Sequence, residues 1–80
     1  MTGFGPWARD IDPAERLARL RSMRALALVH CRHETDFLKS LRRAETDATA
    51  LPAALEYLNR LPALRRRHLL STYLQLGGLP

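Results

Sequence analysis

DPAERLARLRSMRALALVHCRHETDFLKSLRRA, residues 12–44, is the stretch on which the fold turns. Asp12 can cap a helix, Pro13 suits its first position, and Glu15 follows three residues after the cap, as in a capping box. Leu17, Leu20, Met23, Ala27, Leu28 and Cys31 then recur at helical spacing on one face. Glu15, Arg21, Arg32 and His33 lie largely on the opposite side, which makes the helix amphipathic. Leu38 and Leu41 continue the apolar face almost in phase, so the pattern predicts one helix over about 13–44. The alternative is a break near Thr35, which can cap a separate short helix carrying Phe37, Leu38 and Leu41.

Outward from this stretch, residues 1–11 read as an arm. Gly3, Gly5 and Pro6 break helix, and the rings of Phe4 and Trp7 are expected to pack back onto the body. Glu45 to Ala50 is a polar turn. Leu51, Leu55 and Leu58 mark a second helix over about 51–60, and Pro62 imposes a break before a third over about 62–76. In the third, Leu64, Leu69, Tyr73 and Leu76 are expected to face inward, and Gly77 and Gly78 provide a stop. The fold class is all-α: a small three-helix bundle or helical hairpin with an extended N-terminal arm.

Eighty residues make one domain with a thin core. Cys31 is the only cysteine, so no internal disulfide supports it. Leu and Ala dominate and Val29 is the only valine, a bias toward helix. No run approaches the roughly 20 apolar residues of a membrane span. Met1 to Ala8 lacks the basic and apolar regions of a secretory signal. A lone thiol without an export signal points to the cytoplasm.

The sequence offers little to catalysis. His30, Cys31, His33 and Glu34 resemble metal ligands in type, but on a helix they diverge, and no second ligand pair occurs elsewhere. Cys31 and a neighbouring imidazole diverge for the same reason. No glycine-rich loop or nucleophile elbow is present. A non-enzyme without metal or cofactor is expected, with neither a membrane nor a small-molecule substrate as its partner.

The arginines carry the functional signal. Arg65, Arg66 and Arg67 adjoin in a stretch without acid from Tyr57 onward, and Arg16 to His33 is a second acid-free zone. Unneutralised guanidinium groups project a field over roughly 8–10 Å and form forked bonds to phosphate or carboxylate. The expected partner-binding set is Arg65, Arg66, Arg67 and Arg60 with Arg42, Arg43, Arg21 and Arg24. If the helices pack antiparallel, part of the triple run shares an exposed side with Arg42 and Arg43. Tyr73, Trp7 and Phe4 are available as apolar anchors, which favours docking on a larger protein or nucleoprotein assembly. The alternative is a small DNA- or RNA-binding regulator whose C-terminal half is helix-turn-helix-like. Its turn carries Pro62, and Gln75 stands far along the second helix, a weak fit to base readout.

The 80-residue length, leucine-rich helical pattern, Arg65-Arg66-Arg67 run and lack of catalytic machinery together resemble the small anti-CRISPR inhibitors of phages and other mobile elements. The type I-C group is the particular likeness. That class has no shared motif, so no functional residue is carried over. Many of its members are acidic and imitate DNA, whereas this chain has a net charge of +5. The resemblance therefore implies a basic face that docks on a CRISPR effector complex and obstructs target DNA.

Overall fold

Pro13 opens helix α1 (Pro13–His30), where its missing N–H costs nothing and its ring presets the helical φ. The expected capping box does not form. Asp12 makes no side-chain cap bond, and Glu15 turns along the helix to accept from Arg19 Nε at 2.8 Å. The computed structural model describes residues 4–77, with side chains as far as Gln75. The remaining helices are α2 (Thr35–Ala44), α3 (Leu51–Arg60) and α4 (Ala63–Thr72), and no strand occurs among the described residues. Short 3-10 turns at Gly5–Trp7 and Ala48–Ala50 precede α1 and α3, and a π-helical turn at Tyr73–Gly77 extends α4.

The continuous helix over 13–44 is not what forms. The chain leaves α1 at Cys31 (φ −133°, ψ 40°) and re-enters helix after Glu34, whose N–H donates to Cys31 O at 2.9 Å. Phe37 supplies the physical reason. On a straight helix it would stand about 120° round from Cys31, and the rod would run to roughly 48 Å. The molecule is only 30 Å in its longest dimension. Breaking the helix buries Cys31, Phe37, Leu41 and Ala44 in one core with Leu20, Met23 and Ala27. Burying a Phe or Leu side chain contributes about 1.5–3 kcal/mol, so Phe37 and Leu41 together offset a few lost helical bonds at about 0.5–1.5 kcal/mol each. Thr35 begins the separate helix but does not cap it; Glu34 holds that position without a side-chain bond.

The core sits where α1 meets α2 on one flank and α4 on the other, with α3 packed on α2. Leu61, extended ahead of Pro62 (ψ 147°), is buried and turns the chain from α3 into α4. On α4 the buried line is Leu69 and Tyr73, one turn apart. Leu64 is therefore not inward as expected but 65% exposed, because it stands about 140° round from Leu69. Leu28 is also turned outward, about 100° from buried Ala27. The side chain of Leu76, and Gly78, lie outside the described residues, as does Gly3.

The arm is strapped down. Trp7 Nε1 donates to Leu51 O at 2.9 Å, Arg19 Nη1 to Gly5 O at 3.1 Å, and Arg16 Nη2 to Ala8 O at 2.7 Å. Gly5 has φ +53°, and a Cβ there would fall 2.9 Å from the Tyr73 hydroxyl, so glycine is favoured on two counts. Phe4 packs on Trp7 with ring centroids 5.7 Å apart. The rings thus belong to the body, and Tyr73 is wholly buried. Neither Trp7 nor Tyr73 is free to anchor a partner.

Candidate basic interface

The arginines divide by what they touch. Arg24 Nε donates to Glu45 Oε2 at 2.6 Å, and Arg21 lies 3.8 Å from the other oxygen of the same carboxylate. Arg24 belongs to the α1–α2 packing and is not free for a partner. Arg60 leans toward Glu56 on its own helix at 3.7 Å, with both side chains mostly exposed. Arg42 and Arg43 occupy the last turn of α2, where positive charge complements the negative end of the helix dipole. Neither forms an ion pair among the described residues.

Arg65, Arg66 and Arg67 have a different setting. They stand in the first two turns of α4, a helix with no acid in its first turn and no side-chain cap. Cations there oppose the dipole, so the arrangement costs stability. Two of the three are partly compensated. Arg65 Nη1 lies 3.1 Å from Glu34 Oε2, and Arg66 Nη1 donates to Asn59 O at 2.8 Å. Arg67 is exposed, with no hydrogen bond or ion pair among the described residues. Because Arg65 meets Glu34 at the start of α2, it stands about 12 Å along that helix from Arg42 and Arg43. The single patch expected from these two groups is split between opposite ends of α2.

The Arg65–Glu34 pair instead brings together the last turn of α1, the Cys31–Glu34 turn and the first turn of α4. This end of the bundle presents Leu28, Val29 and Leu64, respectively 51%, 71% and 65% exposed. Arg32, exposed and without an acidic partner among the described residues, lies in the turn beside them. Arginine is enriched at protein interfaces relative to the rest of a protein surface. The exposure of Leu28 and Leu64 was missed because each fits a helical stripe, and Val29 was assigned to no face. The available signal was Ala27-Leu28-Val29, since three successive apolar residues cannot all face one core.

Beneath this end lies Cys31, fully buried. Burial pushes its thiol pKa upward, and the Glu34 carboxylate adds to that, while Arg65 opposes it. His33 is exposed. Among the described residues no three His, Cys, Asp or Glu side chains gather to hold a metal ion.

On the far side a groove of about 410 Å³ runs between α2 and α3, with Lys39 and Arg43 on one wall and Tyr57 on the other. Below Arg43, Asp47 accepts from the Thr49 hydroxyl at 2.6 Å and the Thr49 N–H at 3.0 Å. Those bonds, with the nearby Arg43 charge, lower the Asp47 pKa.

No family model matches this chain, and comparison with curated proteins and with solved structures gives no match either.

Proposed function

We propose that this chain is a non-enzymatic, cytoplasmic binding protein that docks on a larger protein or nucleoprotein assembly through the α1–α4 end of the bundle. The observation that carries the reading is the exposure of Leu28, Val29 and Leu64 on the end that also presents Arg32 and Arg67. A phosphate-only binder has no use for such apolar exposure, whereas an acidic protein surface with apolar recesses engages both kinds of group. An inhibitor docked on a type I CRISPR effector so as to obstruct target DNA is the particular case that the anti-CRISPR resemblance suggests. No described helix is long and apolar enough to cross a membrane.

The DNA- or RNA-binding alternative has less support. A helix-turn-helix braces its reading helix on the helix before it. Here α4 packs chiefly on α1, and α3 on α2. The test is capture of partners from a host lysate with and without nuclease, followed by a salt titration of the purified complex. Docking predicts nuclease-resistant capture, a shallow salt dependence and no affinity for free duplex at physiological salt. Tight binding to free DNA with a steep slope in log salt would replace this reading with the nucleic-acid one.

A further inference from the structure

We propose that the groove between α2 and α3 is a second, separate binding site, which takes a small phosphorylated ligand of nucleotide size. The groove exists because small residues line its floor. Ser40 and Ala50, both buried, stand where longer side chains would fill the space, and exposed Ala53 lines the α3 side. Its volume, about 410 Å³, falls within the range of small-ligand sites, which begins at about 300 Å³.

The local polar atoms fall into two groups. The Ser40 hydroxyl donates to Phe37 O at 2.7 Å, and Asp47 is spent on Thr49. These hold the walls in place. The rest are unspent. Lys39 and Arg43, one turn apart on α2, are exposed and form no ion pair among the described residues. Across from them Tyr57 is half-buried, and its hydroxyl has no hydrogen bond among the described residues. Asp36 lies one turn before Lys39 on the same helix and likewise lacks an ion pair.

This lining is cationic toward one end and acidic toward the other. An ammonium and a guanidinium one turn apart can share a phosphomonoester through charge-assisted bonds. Ala53 and the Tyr57 ring offer an apolar wall to the body of the ligand. Asp36 can accept from an amino or hydroxyl group on that body. It also repels a second phosphate, so the groove disfavours a continuous nucleic-acid strand and favours a monoester with a donor-bearing body.

The site is tested by calorimetric titration and amide chemical-shift mapping of the whole chain with AMP, ribose 5-phosphate, adenosine and inorganic phosphate. The expected result is tightest binding of AMP, with shifts at Lys39, Arg43, Ala53 and Tyr57, and weaker binding of the three fragments. Lys39→Gln and Arg43→Gln, at exposed positions, should each weaken AMP by about tenfold with unchanged helicity. Ala53→Leu should occlude the groove. Arg67→Glu, at the docking end, should leave AMP binding intact, which separates this proposal from the docking reading. Absence of shifts at millimolar AMP would overturn the proposal. So would equal affinity for inorganic phosphate, shifts confined to α4, or tighter binding of an RNA oligonucleotide in the same groove.

Discussion

Arg24 Nε donates to Glu45 Oε2 at 2.6 Å, joining the middle of α1 to the residue that ends α2. The Glu45 side chain is only 11% exposed, so this bond lies in a partly desolvated setting and locks the angle at which α2 folds back. Arg24→Ala should destabilise the fold by about 1.5–3 kcal/mol, the range for a hydrogen bond to a charged group. Arg21→Ala, whose partner distance is 3.8 Å on a mostly exposed side chain, should cost about 0.5 kcal/mol or less. Thermal denaturation of the two variants checks the contrast. Equal losses would mean that Glu45 does not discriminate between them.

The strap at Gly5 yields a second expectation. Gly5→Ala meets both an unfavourable positive φ and the Tyr73 ring, and should cost about 1–3 kcal/mol. In a Tyr73→Phe background the nearest contact, at the hydroxyl, is gone, so the same change should cost less. A double-mutant cycle read by denaturant titration separates the backbone strain from the clash.

Charge reversal at the docking end should separate folding from binding. Arg67→Glu places an acid near the positive end of α4 and removes no bond seen among the described residues, so the melting temperature should hold or rise slightly while partner capture falls. Val29→Ser and Leu64→Ser should weaken capture without unfolding the protein, since both side chains are already in water. Loss of helicity in any of these would show that the end serves the fold rather than a partner.

Alkaline pH supplies a fourth test. Burial raises the pKa of Cys31 and of Tyr73 in the folded protein. Each group therefore stabilises fully below its unfolded pKa, about 8.5 for Cys and 10 for Tyr. The contribution is lost as pH rises through the folded values, because the unfolded chain gives up those protons first. Stability should fall above about pH 8.5. Cys31→Ala should flatten the first part of that decline and Tyr73→Phe the later part, in denaturation midpoints measured across the alkaline range. Slow reaction of Cys31 with thiol reagents in the folded state is expected from the same burial.

What was legible along the chain is what a few consecutive residues control. Pro13 and Pro62 constrain φ at their own positions, and leucines at three- and four-residue spacing define a helix face without reference to anything distant. All-α structure, the α1 start and the α3–α4 break follow from such signals. The break at Cys31–Glu34 does not. Leu38 and Leu41 extend the first apolar face well enough for a straight helix, Thr35 offers a break only as the alternative, and the burial of Cys31, Phe37, Leu41 and Ala44 in one core with residues far along the chain decides for folding back. The same limit governs the arginines. Arg24 and Arg67 look alike among acid-free neighbours, yet Arg24 meets Glu45 across 21 residues while Arg67 meets no acid among those described. Acid-free neighbours in sequence do not mean acid-free neighbours in space, because a Coulomb interaction depends on through-space distance and burial, and the packing of α1 against α2 and α4 sets both.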